Sequence, residues 1–255
     1  MIEAPQSFVV REECNKAAWN GGYRRLLGEQ GGWAGFGSTT ARGNIHLAAN
    51  TQNGPWYLAI EHPEVIDELG LEPADVPGPG SARYAFNSLT ELYAVLSRVY
   101  GLSVSLPDLP LQKFEKEIQG LPRETEAERL VVLRKGQGIF RESLLEYWQG
   151  ECPLTGITDH LLLRASHIKP WADCQTDAER LDVHNGLLLS ALWDAAFDQG
   201  LVTFDEAGLP VYSAALSDAA KRELGDGRQL TLTAKHQVFL AWHRERVFRL
   251  HHEKE

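Results

Sequence analysis

His167, Asn185, Asp194 and Asp198 have the types and spacings that hydrolysis of a phosphodiester bond would require. Histidine titrates near neutrality, so His167 can take a proton from water close to pH 7. Asp194 and Asp198 are four residues apart, which on a helix stacks both carboxylates on one face. Two such charges repel unless a cation lies between them, and oxygen ligands suit Mg²⁺ or Mn²⁺. An uncharged amide can orient an imidazole, which is the role expected for Asn185.

Each of these residues, taken singly, also has an ordinary structural interpretation. A lone histidine at the end of a strand is commonly a structural residue with its hydrogen bonds satisfied. Asp194 and Asp198 could both lie on a solvated helix face. The catalytic interpretation therefore depends on the whole set, and on elements that bring its members together.

The local pattern predicts a strand, a loop, a second strand and a helix in that order. Apolar runs bounded by polar residues indicate the strands, and Gly200 ends the helix. The predicted segments are Leu161–Leu163 leading to Ser166-His167-Ile168, the loop Lys169–His184, the strand Leu187–Leu189 and the helix Ala191–Gln199. Leu192, Ala195, Ala196 and Phe197 are expected to cover the faces of this helix away from its aspartates.

This stretch resembles the ββα-metal core of the HNH endonucleases, and more narrowly the bacterial HNH proteins of the restriction-endonuclease type. The resemblance extends over roughly residues 134–249, a little under half of the chain. Many spaced matches in one order make it far more specific than a lone His…Asn…His pattern. The matching residues are Arg134, Gly136, Gln137, Phe140, Arg141, Leu144, Leu145, Tyr147, Cys152, Thr155, Gly156, Ala165, Ser166, His167, Ile168, Pro170, Trp171, Arg180, Leu181, Asn185, Gly186, Leu187, Asp194, Phe197, Asp198, Gly200 and Leu201, with further likeness at Phe204 and in Phe239–Arg249.

The resemblance implies a role for each residue of the set. His167 would be the general base and Asn185 the group that orients it. Asp194 and Asp198 stand where many HNH proteins place metal-binding histidines, and carboxylates there favour one Mg²⁺ or Mn²⁺ per site. Ser166 departs from the pattern, because many HNH sites have a His or Asp ligand directly before the base. A hydroxyl is a poor ligand, so water and the scissile phosphate would complete the metal shell.

Three cations near the set are candidates for contacts with DNA phosphates: Arg141, Arg164 and Lys169. The alternative for each is a solvated position or an internal ion pair. A site of this kind cuts one strand, so a double-strand break would need two binding events or a homodimer.

The composition of the 255 residues is that of an ordinary globular protein, with 43% hydrophobic and 24% charged residues. The net charge of −10 counts against a protein that binds nucleic acid tightly, because such proteins usually carry a basic surface patch. We therefore expect weak, salt-sensitive DNA binding. Three widely spaced cysteines, no apolar run long enough for a bilayer and no leader at the N-terminus predict a cytoplasmic protein without a membrane partner.

The first hundred residues predict a compact α+β unit that resembles no family known to us. Its predicted helices are Asn15–Leu27 with a break near Gly21-Gly22, a short one from His62-Pro63 to Gly70, and Ser88–Tyr100 with a Ser88/Glu91 capping box. Its predicted strands are Asn44–Asn50 and Pro55–Glu61, joined at Gln52-Asn53-Gly54, whereas Gly35–Arg42 and Glu72–Ala85 are expected to be loops. Trp19, Trp33, Phe36, Trp56 and Tyr57 are expected to build a core or to line a pocket for a flipped or modified base.

The predicted fold class is α+β, with an unrecognised N-terminal α+β domain and a C-terminal ββα-metal HNH domain. The expected domains are residues 1–105 for DNA recognition or sensing, a helical linker at 106–135 and the nuclease at 136–255. Leu106–Pro110 is expected to interrupt the helices, and Gln112–Arg134 to form one or two helices broken at Pro122.

Three functions remain open from the sequence alone. The first is a restriction-type endonuclease acting on DNA, with a possible dependence on base modification. The second is a nuclease effector whose N-terminal domain senses a small molecule or a partner. The third is a DNA-binding protein whose HNH core is inactive, and only Ser166 supports it.

Overall fold

The computed structural model describes residues 1–122 and 124–249. Contacts between Cα atoms divide the chain into two compact units, Met1–Leu106 and Pro107–Glu255. Within the described ranges, no helix combines the length and the apolar character that crossing a bilayer requires. All three cysteines are buried free thiols.

The first unit is a five-stranded antiparallel sheet with three helices. The strands follow one another in space in the order in which they follow along the chain. The elements are α1 (Phe8–Asn20), β1 (Arg25–Gln30), β2 (Trp33–Gly37), β3 (Ile45–Ala49), β4 (Trp56–Ile60), α2 (Pro63–Leu69), β5 (Ala82–Phe86) and α3 (Leu89–Ser105).

The main core of this unit lies between the helices and one face of the sheet. Side chains on a strand alternate between faces, so Leu47 and its register partner Leu58 share the core face. Both are fully buried, as are Leu92 and Leu96 on α3. A smaller cluster on the opposite face contains Trp33, Ala48, Tyr57 and Ala59, with Ile2 and Val76 packed against it.

The sequence predictions for the first unit are partly confirmed. The hairpin of β3 and β4 and the capped helix α3 form as expected. The break predicted near Gly21-Gly22 is confirmed, because α1 ends at Asn20 and Gly22 has a positive φ of 82°. The rest of that prediction is wrong, because α1 starts earlier, at Phe8, and Leu26 and Leu27 belong to β1. The loop predicted over Glu72–Ala85 is wrong at its end, since Ala82–Phe86 pairs with β4.

The second unit contains two long helices, a hairpin with a helix directly after it, and a C-terminal layer. Helices α4 and α5 pack against each other, so most of residues 106–135 belongs to the body of this unit. The elements are α4 (Asp108–Ile118), α5 (Glu126–Tyr147), β6 (Leu163–His167), α6 (Asp177–Leu181), a 3-10 turn at Val183–Asn185, β7 (Gly186–Ser190), α7 (Ala191–Asp198), β8 (Val202–Phe204), β9 (Pro210–Tyr212), α8 (Asp218–Leu224) and α9 (Ala234–Arg246).

The predicted order of strand, loop, strand and helix is confirmed in β6, β7 and α7. Three details are corrected. Leu161 and Leu162 precede the strand and are exposed, the loop contains the short helix α6, and Pro110 lies within the first turn of α4. The first turn tolerates proline because its N–H groups have no intrahelical acceptor.

Gly186 explains how α5 reaches the hairpin. A Cβ on Gly186 would lie 2.6 Å from the ring of Phe140 and 2.8 Å from Leu144, both on α5. Only glycine allows this approach, so the Asn185-Gly186 pair sets the distance between the hairpin and the helix behind it.

Candidate active site

His167 is the last residue of β6, and its ring is held by a backbone carbonyl. Its Nε2 lies 2.9 Å from the carbonyl oxygen of Arg180. A carbonyl can only accept a hydrogen bond, so Nε2 carries the proton and Nδ1 keeps its lone pair. This is the arrangement that a general base needs, because the lone pair stays on a defined nitrogen.

Aromatic side chains fix the plane of the His167 ring. The ring stacks on Phe140, with centroids 3.7 Å apart and an angle of 15° between the planes, and it meets Trp171 edge-on. Burial lowers the pKa of His167 to about 4, and the hydrogen bond to Arg180 opposes this shift. The imidazole is therefore neutral at pH 7, with its lone pair available.

The two aspartates lie on α7, which packs against β6 and β7. The hydroxyl of Ser166 on β6 donates a hydrogen bond to Oδ1 of Asp194. Desolvation by the neighbouring protein atoms raises the pKa of Asp198 to about 6, and the charge of Asp194 adds to the shift. Among the ion pairs of the described residues, none involves Asp194 or Asp198. The pair is a local excess of negative charge.

Two neighbouring residues of β6 carry the two halves of the site. Ser166 contacts Asp194 on α7, whereas the ring of His167 stacks on Phe140 of α5. Successive side chains of a strand point to opposite faces, so the base and the carboxylates flank the end of β6. No hydrogen bond in the described part of the chain joins the His167 ring to either carboxylate.

The helix α7 is less deeply buried than the sequence indicated. Trp193 and Phe197 anchor it in the core, but Leu192 is 50% exposed and Ala195 is also exposed. Asp194 is half-buried and Asp198 is exposed, so both carboxylates can be reached from solvent.

Asn185 binds the loop between the strands and does not touch the imidazole. Its Oδ1 accepts from the backbone N–H of Lys169 at 2.8 Å, and its Nδ2 donates to the carbonyls of Lys169 and Glu179 at 3.2 Å. Asn185 is fully buried. Its connection to His167 is therefore indirect, because it fixes the loop that carries the Arg180 carbonyl.

Arg180 contributes to the candidate site, although its residue type and position predicted no role for it. Besides its carbonyl, its guanidinium donates to the carbonyls of Trp171 and Cys174 and pairs with Asp177. The capping pattern Thr176-x-x-Glu179 could have indicated this position in the sequence. It starts α6 and thereby fixes the place of Arg180 on that helix.

Residues 152–205 match the HNH_2 family model, whose description is HNH endonuclease. The second unit contains an HNH endonuclease domain. The matched range includes β6, β7 and α7, and it is narrower than the resemblance seen over residues 134–249. A search of curated proteins found no match for the chain.

The oxygen atoms of the candidate ligands fit a hard divalent ion. HNH nucleases generally use such ions. Asp194, Asp198 and the Ser166 hydroxyl offer only oxygen atoms, which suit Mg²⁺ or Mn²⁺ better than Zn²⁺. Desolvation and the charge of Asp194 raise the pKa of Asp198, so a cation bound between the two carboxylates would be favourable. The described residues contain no group of three or more His, Cys, Asp or Glu placed to hold a metal, so most ligands would be water and substrate.

The three candidate phosphate-binding cations all have contacts within the HNH-containing unit. Arg141 donates to the carbonyls of Leu163 and His160. Arg164 donates to carbonyls beside it in the chain. Lys169 pairs with Glu179 at 2.6 Å. The geometry therefore gives each residue a structural task next to the site, and Arg164 is the most exposed of the three.

We expect Asn185→Ala to destabilise the HNH-containing unit by about 2–3 kcal/mol, because buried partners of the amide lose their hydrogen bonds. This corresponds to a fall of roughly 5–10 °C in its Tm by calorimetry. Gln199→Ala, at an exposed position after α7, is the control and should change Tm little. An Asn185→Ala protein that melts like the Gln199→Ala protein would contradict the role of Asn185 in holding the loop.

Proposed function

We propose that this protein is a metal-dependent endonuclease that hydrolyses DNA phosphodiester bonds at its HNH domain. The observation that carries the proposal is the hydrogen bond from His167 Nε2 to the Arg180 carbonyl, which leaves Nδ1 as a free base on the strand next to the carboxylate pair. The family match supports nuclease activity. That the substrate is DNA and that the ion is Mg²⁺ or Mn²⁺ are further parts of our proposal.

His167 would take the proton from the attacking water. Its low pKa keeps it neutral, and an anionic phosphate beside it would raise that pKa towards neutrality, where a general base is most effective. Phe140 and Trp171 hold the ring so that Nδ1 does not have to find its orientation during the reaction.

Asp194 and Asp198, with Ser166 beside them, would hold one Mg²⁺ or Mn²⁺. Such an ion neutralises charge that develops on the phosphate and the departing oxygen. In-line displacement places the attacking water and the departing oxygen on opposite sides of phosphorus. A base and a carboxylate pair that flank the end of one strand suit this geometry.

We further propose a restriction-type role in defence, in which the first unit selects the DNA. Arg141, Arg164 and Lys169 would lie along the path of the phosphate backbone, and two copies of the chain would supply the two cuts of a double-strand break. The net charge of −10 favours one alternative, because an acidic chain repels DNA. In that alternative the protein is a nuclease effector whose first unit senses a small molecule.

The experiment is digestion of supercoiled plasmid and of RNA with Mg²⁺, with Mn²⁺ and with EDTA. Plain, methylated, hydroxymethylated and phosphorothioated DNA are compared at low and high salt. We expect metal-dependent nicking that weakens as salt rises, because phosphate contacts release counterions. Failure to nick any DNA with either ion would reject the nuclease proposal, and a preference for one modification would support the restriction-type role.

A further inference from the structure

The N-terminal half of α5 leaves bare a helix face that its C-terminal half buries. Gly136, Phe140 and Leu144 follow one another at spacings of four residues and are buried on this face. Leu133, three residues before Gly136, is only half-buried. Leu130, three residues earlier again, is 46% exposed. The described part of the chain therefore covers the apolar stripe of α5 from Gly136 onward and leaves its first turns uncovered.

A groove of about 510 Å³ lies beside the bare half of α5, within the second unit. Leu130 and Leu133 line it from α5, and Phe114 and Trp171 line it from the other side. Its charged lining residues are two acids and two arginines: Glu126, Asp177, Arg129 and Arg180. Because these charges balance, the groove attracts neither an anion nor a cation as a whole, and its apolar walls favour an apolar side chain.

A ridge runs along α5 next to this groove. Ala127, Val131, Arg134 and Gly138 follow one another at spacings of four, three and four residues, so their side chains share one helix face. All four are exposed, and Val131 is 49% exposed. The surface therefore has a raised apolar residue directly beside an apolar groove.

Gly138 indicates that another backbone packs closely on this ridge. Glycine in the interior of an exposed helix is less favourable than alanine. Gly136 has a reason within the chain, since a Cβ there would lie 2.5 Å from Trp171. A Cβ on Gly138 would meet no atom of the described residues within 4 Å, so no contact among them requires glycine. A second helix that crosses the ridge at short distance would require it.

The charges along the same segment complement a second copy of it. Glu124 and Glu126 are exposed at its N-terminal end, and Arg134 is exposed towards its other end. Among the ion pairs of the described residues, none involves these three side chains. In an antiparallel pair of identical helices, the acidic end of each copy meets the basic end of the other.

We propose that the groove and the ridge of residues 124–138 bind a second copy of this chain across a two-fold axis. The two α5 helices would cross antiparallel, with Val131 of each copy in the groove of the other, because a two-fold interface pairs one surface with itself. The inference rests on the proposed function and deepens it, since two copies would supply the two cuts of a double-strand break. Trp171 and Arg180, which hold the His167 ring, line the groove, so a partner seated there would also steady the base.

The size of this surface sets the expected affinity. The segment is about 20 Å long and a helix is about 10 Å wide, so two copies would bury on the order of 1,000 Å² in total. Interfaces of that size are typical of weak, reversible complexes, so we expect a dimer with a dissociation constant roughly in the micromolar range. The measurement is sedimentation velocity of the full wild-type chain over a series of concentrations, without metal or DNA.

A pair of matched variants places the association on the ridge. Val131→Glu puts a charge where the partner would desolvate it, so it should weaken association at least tenfold. Val238→Glu makes the same change on α9, where Val238 is 70% exposed, and should associate like the wild type. Both positions are exposed on helices and glutamate is a good helix former, so both proteins should fold.

Charge reversal tests the antiparallel arrangement. Arg134→Glu and Glu126→Arg should each weaken association several-fold, because each brings like charges together at the ends of the helix pair. The double variant Glu126→Arg/Arg134→Glu should restore association to near the wild-type value. Within one helix these positions are about 12 Å apart, so an ion pair inside one chain cannot explain the recovery.

The outcomes separate this inference from the proposed function. The inference fails if the wild type stays monomeric at about 100 μM, well above the expected dissociation constant. It also fails if Val131→Glu and Val238→Glu associate alike, or if the double charge reversal associates no better than the single variants. Sedimentation needs no substrate, and the nuclease proposal is judged by plasmid nicking, so either can fail while the other stands.

Discussion

His167→Ala should reduce metal-dependent plasmid nicking by about 10²–10⁴-fold, the range that a positioned general base contributes. The reason is that Nε2 of His167 donates its proton to the carbonyl of Arg180, so the lone pair of Nδ1 can accept a proton from water. This nitrogen lies at the end of β6, next to the strand residue that contacts the carboxylate pair. The measurement is the initial rate of conversion of supercoiled to nicked plasmid at saturating Mn²⁺.

Two further proteins make the His167 experiment decisive. His167→Gln keeps an amide N–H that can donate to Arg180 but has no basic nitrogen, so it should remain folded and be as inactive as the Ala variant. His160→Ala removes an exposed imidazole whose residue contacts Arg141 only through its backbone carbonyl, so its rate should stay near that of the wild type. A His167→Gln protein that nicks within threefold of the wild type would show that His167 is not the base.

The hairpin and helix of the HNH domain could be predicted because local and long-range signals agree there. One apolar run leads into β6, a second forms β7, and Gly200 ends the helical segment, so the order of elements follows from the sequence. The family pattern adds positions for His167, Asn185 and the two aspartates, which periodicity alone would not assign to a common site.

The first unit was harder to predict because glycine and alanine replace the larger residues that mark strands. β2 reads Trp-Ala-Gly-Phe-Gly, and β1 is exposed at all six positions, so neither shows an apolar alternation. The alternation in β5 was present, with Ala82, Tyr84 and Phe86 buried, but the prolines and glycines before it favoured a loop.

The contacts of the candidate active site were not predictable from residue types alone. The sequence makes Asn185 a candidate to orient His167, whereas its side chain bonds to a loop whose conformation also depends on the Arg180 guanidinium. A loop stabilised by side-chain-to-backbone bonds has no periodic signature. Arg141 and Lys169 illustrate the same limit, because their residue types do not show that Arg141 also donates to backbone carbonyls and that Lys169 pairs with Glu179.

The double variant Asp194→Asn/Asp198→Asn should lose Mn²⁺ binding by more than about 100-fold and lose nicking with it. Amides are weaker ligands for hard cations than carboxylates, and these two side chains supply both of the charges in the proposed site. The measurement is calorimetric titration with Mn²⁺ at pH 7.5, where the wild type should bind one ion per chain. Asp218→Asn/Glu223→Gln, two exposed acids on α8, changes net charge equally and is the control.

The raised pKa of Asp198 predicts how Mn²⁺ binding should depend on pH. Because the pKa in the folded protein is about 6, Asp198 must lose a proton before it can bind an ion at pH 5. Wild-type Mn²⁺ affinity should therefore fall by roughly tenfold per pH unit below about 6. An affinity that stays constant between pH 7.5 and pH 5 would place the ion elsewhere.

Stability separates a metal-binding role of the two aspartates from a structural one. A carboxylate whose pKa is raised from 3.8 in the unfolded chain to about 6 in the folded protein favours folding when it is protonated. Its contribution is present below about pH 4 and is lost as the pH rises to 6. The double variant should therefore be as stable as the wild type without metal at pH 7.5, or more stable by about 1 kcal/mol, since Asp198 is exposed and solvent screens the repulsion. Loss of both Mn²⁺ binding and folding would instead mean that the aspartates hold α7 in place, and would remove the carboxylate pair from the proposed site.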